Sequence, residues 1–285
     1  MKKLLKTRFA TDSAVHTAQQ GKPLLMGIVN VTPDSFSDGG FYEDMESAVR
    51  HALNMVNDGA DVIDIGGEST RPGSIPVPAE KEMKRVLPVI ERISGKIDVP
   101  ISVDTYKPEV ARAAIERGAS IINDITALRY GGSKMAQIAA DSDARVVLMH
   151  MKGTPATMQK KPHYKDVVSE ILAFLERRAE FARKNGIKKS RIIIDPGIGF
   201  GKRLEDNLNI IRNLASFRGL GYPVLVGPSR KSFIGTILNL PPEQRLEGSL
   251  AAFAICVYNG ADIIRVHDVA EARRAVDTAA AIRDA

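Results

Sequence analysis

Asp104, Asn123 and Asp195 are of the right type to grip a flat heterocycle. Carboxylates and a carboxamide pair with N–H edges, and a guanidine-like edge can meet one carboxylate through two parallel bonds. Arg265 and His267 are two apart on an apolar run, so in a strand they share a face and can hold an anion. Arg71, in Glu68-Ser69-Thr70-Arg71-Pro72-Gly73, adds a second positive group. Asn30 offers a neutral oxygen that suits Mg²⁺ where phosphate supplies most of the other ligands. Gly197-Ile198-Gly199-Phe200-Gly201 reads as backbone approaching a planar ligand closely, with Phe200 as one wall. This composition calls for a ligand with a heterocyclic end and a phosphate-type leaving group. No Ser-His-Asp order, metal-binding His cluster or P-loop competes with it.

These residues must be brought together by the elements that carry them. Apolar strand-like runs span residues 24–31, 61–67, 100–105, 120–125, 145–150, 191–196, 223–227 and 263–267. Helical patterns follow at 45–57, 80–93, 108–117, 134–140, 166–184, 204–216, 246–258 and 270–282. The turns at Gly59, Gly118 and Gly260 each place a glycine just past a helix and shortly before a strand. No Ser/Gly/Pro linker divides the chain. Eightfold alternation predicts a (β/α)8 TIM barrel over 24–285, one domain, after an N-terminal extension over 1–23. The strand-to-helix connections 32–44, 68–78, 151–165 and 229–245 are long, and in a barrel all lie on the C-terminal face where catalysis takes place. Taken singly, strand-end groups such as Asp64, Asp124 and Asp268 read as caps or internal hydrogen-bond partners, and His150 as a satisfied near-core histidine. Only their convergence on one cavity makes a site.

The chain has 285 residues, 44% apolar and 26% charged, with a formal charge of +6. Its basic residues are scattered over helical patterns, not gathered as in a nucleic-acid binder. The one cysteine, Cys256, lies in an apolar pattern and reads as a buried, inert thiol. Lys2-Lys3 is followed by a polar stretch in place of a signal-peptide core, and no apolar run reaches membrane-span length, so a cytoplasmic protein with no membrane partner is expected.

Several motifs occur together and in order. They are Asn30-Val31-Thr32-Pro33-Asp34-Ser35-Phe36-Ser37-Asp38-Gly39-Gly40, Gly66-Gly67-Glu68-Ser69-Thr70-Arg71-Pro72-Gly73, Ser102-Val103-Asp104-Thr105 and Ile122-Asn123-Asp124-Ile125. Met149-His150-Met151-Lys152-Gly153-Thr154-Pro155, Asp195-Pro196-Gly197-Ile198-Gly199-Phe200-Gly201-Lys202, Ser229-Arg230-Lys231-Ser232-Phe233 and Arg265-Val266-His267-Asp268 complete the set. From about Leu25 to Ala270 the chain resembles the dihydropteroate synthase family of pterin-binding barrels. That resemblance implies condensation of 6-hydroxymethyl-7,8-dihydropterin diphosphate with p-aminobenzoate, releasing pyrophosphate, with Mg²⁺ as cofactor. It implies a pterin site of Asp104, Asn123, Ile125, Met149, Asp195, Phe200, Gly227 and Lys231, with Asp104, Asp195 and Lys231 catalytic. The diphosphate falls to Asn30 (through Mg²⁺), Thr70, Arg71, Arg265 and His267. The p-aminobenzoate falls to Phe36, Thr70, Pro72, Ser229 and Lys231. It further implies a homodimer built on the last helices and sulfonamides as inhibitors. Arg203-Leu204-Glu205-Asp206 departs from the family pattern and reads as surface variation. Two alternatives share the pterin residues: a pterin-binding paralogue without synthase activity, and a methyltetrahydrofolate-dependent corrinoid methyltransferase.

Overall fold

Runs of Ile, Val and Leu, flanked by Gly, Pro and Asp, form strands that are buried on both faces. In the computed structural model, which describes residues 22–32 and 40–285, these are β1 (Leu24–Asn30), β2 (Val62–Gly66), β3 (Ile101–Asp104), β4 (Ile121–Asp124), β5 (Arg145–Met149), β6 (Ile192–Asp195), β7 (Leu225–Val226) and β8 (Ile263–Val266). All pair in parallel, in the order β6-β5-β4-β3-β2-β1-β8-β7. A single bridge between Ile194 and Val224 brings the two ends together and closes the barrel. The chain therefore folds as the (β/α)8 TIM barrel expected.

The helices are α1 (Gly40–Asn57), α2 (Ala79–Ile93), α3 (Pro108–Glu116), α4 (Gly132–Ser142), α5 (Val167–Lys184), α6 (Leu204–Arg212), α7 (Leu214–Arg218), α8 (Ser232–Leu238), α9 (Leu246–Tyr258) and α10 (Val269–Arg283). Pro108 opens α3, where its missing N–H costs no bond. Asp166 caps α5, its carboxylate accepting the N–H groups of Val168 and Ser169. Two expectations change. The pattern over 204–216 is broken at Asn213, so it forms α6 and α7. The connection after β7 is not all loop, because Ser232–Leu238 is helical. Seven residues with two buried apolar side chains, Phe233 and Ile234, give too short a periodic signal to read.

Two cores result. The larger fills the space between strands and helices, with Ile63, Ile65, Val103, Ile122 and Leu148 pointing outward from the barrel. The smaller is the barrel interior: Leu24, Met26, Val62, Ile121, Val147, Ile193, Leu225 and Ile263. Cys256 is buried in the outer core, where burial pushes its thiol up to about 12. No helix among the described residues is long and apolar enough to cross a membrane.

Candidate active site

Side chains alternate along a strand, so the residue two beyond each interior apolar position faces the same space, nearer the C-terminal rim. Two beyond Val62 is Asp64; two beyond Ile121, Asn123; beyond Val147, Met149; beyond Ile193, Asp195; beyond Leu225, Gly227; beyond Ile263, Arg265. Asp104 follows Ser102 in the same way. The strand periodicity thus stacks a polar ring on an apolar floor.

Three members of the ring are joined through Asp64, which is fully buried. Its Oδ2 accepts from Asn123 Nδ2 at 3.1 Å and from Arg265 Nε at 2.6 Å. Arg265 Nη2 reaches Asp104 Oδ2 at 2.8 Å. Burial raises Asp104 to about 7 against the pull of Arg265. Burial would lower Arg265, but Asp64 and Asp104 outweigh it and hold the guanidinium above its usual range. Asp64, read from the sequence as an internal partner, is one, and it organises two site residues at once.

On the opposite side, Asp195 Oδ1 accepts the N–H of Gly197 at 2.6 Å, and burial raises its carboxyl above the usual range. Lys231 donates to the carbonyl of Ile198 and lies 4.5 Å from the centre of the Phe200 ring. Burial pulls its amine down to about 8, with Asp195 opposing. Phe200 packs against Tyr106, Ile125, Met149, Met151 and Met158, an apolar wall beside the ring. A flat heterocycle fits this combination, with apolar faces to stack on and carboxylate, amide and ammonium at its edge.

The glycines after Asp195 also have a cause inside the fold. Gly197 has φ 71°, and a Cβ there would stand 2.0 Å from the carbonyl oxygen of His150; at Gly201 it would stand 2.4 Å from that of Lys152. Within the chain their close approach is to the neighbouring β5 loop, while a Cβ at Gly199, between them, would stand 3.0 Å from Lys231 Cδ. Asn207, which lies outside the sequence motifs, fixes the same loop: its Oδ1 accepts the N–H of Gly199 at 2.7 Å. Nor is Arg203–Asp206 mere surface variation, since Asp206 is buried and its carboxylate accepts the N–H of Arg203 at 2.9 Å, capping α6. An Asp three residues after a helix start is the signal that could have revealed this cap.

His150 is the near-core histidine expected. Its Nδ1 lies 3.0 Å from Lys202 Nζ and its ring meets Phe174 edge-on at 4.8 Å. Burial, then Lys202, push it down to about 2. Asp124 is structural as read, its carboxylate accepting Thr126 and Leu128 N–H groups. Asp268 also has a partner: it pairs with Arg230 at 2.9 Å, beside Ser229 and Lys231.

At the β8 edge, Ser229 Oγ lies 2.9 Å from His267 Nδ1. Burial, then Arg265, lower His267 to about 4, and the charge of Arg71 acts in the same direction. Arg71 and Pro72 are exposed and Thr70 half-buried on the loop after β2. The N–H of Gly73 donates to the carbonyl of Pro155 at 3.0 Å, tying that loop to the one after β5. Asn30 is half-buried at the end of β1. Phe36 and the residues before 22 lie outside the described residues. Among the described residues no group of three or more His, Cys, Asp or Glu side chains gathers to hold a metal ion.

The family model described as pterin binding enzyme matches residues 26–267. Dihydropteroate synthase from Bacillus subtilis is 50% identical over 253 residues, covering 89% of this chain and 86% of its own. The Escherichia coli enzyme of that name is 50% identical over 249 residues, covering 87% and 88%. The structure of Xanthomonas albilineans dihydropteroate synthase with 4-aminobenzoic acid superposes with TM-score 0.87 at 49% identity, covering 93% of this chain and 94% of that one. The likeness runs through every strand of the polar ring. The chain belongs to the dihydropteroate synthase family of pterin-binding enzymes, transferases that join 6-hydroxymethyl-7,8-dihydropterin diphosphate to p-aminobenzoate with release of pyrophosphate.

Proposed function

We propose that the polar ring and its apolar wall carry out this condensation, with roles divided by position. Asp104, Asn123 and Asp195 take the N–H edge of the pterin, Lys231 takes an acceptor on it, and Ile125, Met149, Phe200 and Gly227 give it room and faces. Arg265, His267, Thr70 and Arg71 take the diphosphate. Ser229, Thr70, Pro72, Lys231 and Phe36 frame the arylamine. The observation that carries this reading is the convergence of Asn123 and Arg265 on the single buried carboxylate of Asp64, with Arg265 reaching on to Asp104.

The chemistry follows from these groups. The bond between the pterin methylene carbon and the diphosphate oxygen breaks, and its electron pair leaves with pyrophosphate beside Arg265. The cation left behind is spread over the dihydropterin ring, and the carboxylates of Asp104 and Asp195 lower its energy. The arylamine is uncharged at neutral pH, so its nitrogen lone pair forms the new C–N bond and the surplus proton is lost to solvent. No strong base is needed.

Asn30 offers a neutral oxygen that suits a hard cation whose other ligands are diphosphate oxygens and water. When bound there, Mg²⁺ would neutralise charge on the leaving group. Arg265 still supplies the protein's own positive charge at that point.

The same reading includes inhibition by sulfonamides in competition with p-aminobenzoate; a Yersinia pestis relative, 44% identical, is described in complex with a sulfonamide drug. It includes a cytoplasmic location, in keeping with a single, buried cysteine. It also includes a homodimer through α9 and α10, where Ile255, Tyr258 and Ile282 are exposed around an apolar groove of about 620 Å³.

Calorimetric titration with 6-hydroxymethylpterin tests the assignment. Asn123→Ala should weaken binding by about ten- to a hundredfold, the worth of hydrogen bonds to charged or buried groups. Asn30→Ala should leave this pterin unaffected while raising KM for the diphosphate and the Mg²⁺ requirement. Equal affinity in wild type and Asn123→Ala would refute the pterin site.

A further inference from the structure

Behind the loop that carries Thr70, Arg71 and Pro72 lies a buried charge cluster with no place in the roles above. Lys107 closes the turn between β3 and α3 and is 5% exposed. Its ammonium sits between two carboxylates, donating to Glu68 Oε2 at 2.5 Å and to Glu82 Oε2. Glu68 begins the loop, and Glu82 lies in the first turn of α2, just after the loop ends. Glu68 Oε2 also accepts the N–H of Val77 at 2.9 Å, so one carboxylate draws both stems of the loop together. Its Oε1 accepts the phenol of Tyr106 at 2.7 Å.

Each of these links has a structural consequence. Residues 69–76 form an excursion whose base is clamped by Glu68 and Val77. Lys107 then bolts that base to the β3–α3 turn and to α2. Tyr106 connects it to the cavity, because its ring belongs to the apolar wall with Ile125 and Met149. At its far side the excursion is tied to the loop after β5 by the Gly73–Pro155 hydrogen bond. Burial raises Glu82, while the two carboxylates overcome burial to hold Lys107 above its usual range. Buried ion clusters add little net stability over apolar residues of the same volume, and their best-attested use is to fix geometry.

We propose that Glu68, Lys107 and Glu82 form an ionic strut that sets the position of Thr70, Arg71 and Pro72 over the cavity, making Lys107 a positioning residue for the diphosphate and arylamine half of the reaction. The proposal rests on the assignment of that loop to this half of the site. The strut acts through the loop and touches neither substrate.

Steady-state kinetics and pterin titration on the full-length chain separate this role from a merely structural one. Lys107→Met should raise KM for p-aminobenzoate about tenfold or more and lower kcat, because a displacement near 1 Å of positioning groups is enough for such losses. Affinity for 6-hydroxymethylpterin, which lacks the diphosphate, should stay within about twofold on the same argument. Lys107→Met strands two buried carboxylates, so the triple variant Glu68→Gln, Lys107→Met, Glu82→Gln, which removes all three charges together, is measured beside it. It should fold and show the same split. An unchanged KM for p-aminobenzoate in the folded triple variant, or an equal loss of pterin affinity, would overturn the strut. Arg71→Ala distinguishes the underlying assignment: if it changes no kinetic constant, the loop is not part of the site, and the proposal falls with it for that reason.

Discussion

Inside the barrel, two layers a few ångströms apart are built from the same strands and obey opposite rules. The floor, with Val62, Ile121, Val147, Ile193, Leu225 and Ile263, is apolar, buried and held by packing alone. The rim, two residues further along most of the same strands, carries Asp64, Asn123, Asp195 and Arg265, with Asp104 beside them, each costly to bury and each partnered. Backbone geometry cannot account for the contrast, since the register runs continuously from one layer to the other: Asp104 pairs with Asn123 as Val147 pairs with Ile193. What differs is which residues would be satisfied by a ligand. The floor is complete without one. The rim holds its charges in mutual contacts that a pterin edge and a diphosphate can replace, and burial has moved Asp104 and Lys231 to about 7 and about 8, close to working pH.

Breaking one residue in each layer of the same strand gives the largest contrast. Asp195→Ala should reduce kcat/KM by about a thousandfold, the scale for losing a group that stabilises developing charge. Thermal unfolding of that variant should show little loss of stability, because a buried carboxylate is removed with it. Ile193→Ala should do the reverse, costing about 2–5 kcal/mol of stability and leaving kcat/KM of the folded fraction unchanged. Equal effects of the two on kinetics would dissolve the distinction.

Arg265 belongs to both columns. Arg265→Met leaves Asp64 buried without its counter-charge and should cost about 3–5 kcal/mol in urea unfolding, besides raising KM for the diphosphate substrate. Adding Asp64→Asn should restore much of the stability and none of the activity. Recovery of both would mean that Arg265 serves the fold alone.

A smaller effect is expected from His150, which lies beside the rim and has no ligand to gain. Its folded-state value near 2 lies below the unfolded value near 6.5, so the unfolded chain takes up the proton as pH falls. Stability from this residue is therefore complete above pH 6.5 and declines below it, by about 2 kcal/mol at pH 5. Denaturant unfolding of His150→Gln should show a flatter dependence between pH 7 and 5 than wild type; parallel curves would contradict it.

The smallest expected effect sharpens the chemistry of the rim. The proposed pterin contacts need Asp104 ionised, which favours pH above about 7, and Lys231 protonated, which favours pH below about 8. Affinity should peak between these values and fall by up to about tenfold per pH unit on each side. Titration of 6-hydroxymethylpterin from pH 5.5 to 9.5 reads this directly, and Lys231→Met should abolish the alkaline limb only.

Most of the fold was legible because its signals are local. Apolar runs of fixed length, glycines past helices and long strand-to-helix connections specify a barrel without reference to distant contacts. The short α8 and the break at Asn213 escaped, since neither is long enough to establish a period. The candidate site was legible as a ring where strand alternation alone places a residue, as for Asp104, Asn123, Asp195 and Arg265. It was not legible where a role depends on partners far away in sequence. Nothing local tells that Asp64 meets Arg265 across 201 positions, that Glu68 meets Lys107, or that Gly197 packs against the carbonyl of His150. Those pairings exist only once the barrel has closed.

The central claim, that this rim performs the condensation, is tested most directly by product formation. Purified chain with Mg²⁺, the pterin diphosphate and p-aminobenzoate is assayed for dihydropteroate and pyrophosphate, wild type beside Lys231→Ala. The account predicts stoichiometric release of both products by wild type and at least about a hundredfold less from the variant, with its fold unchanged by circular dichroism. A variant as active as wild type, or a wild-type chain that binds the pterin yet forms no dihydropteroate, would contradict it.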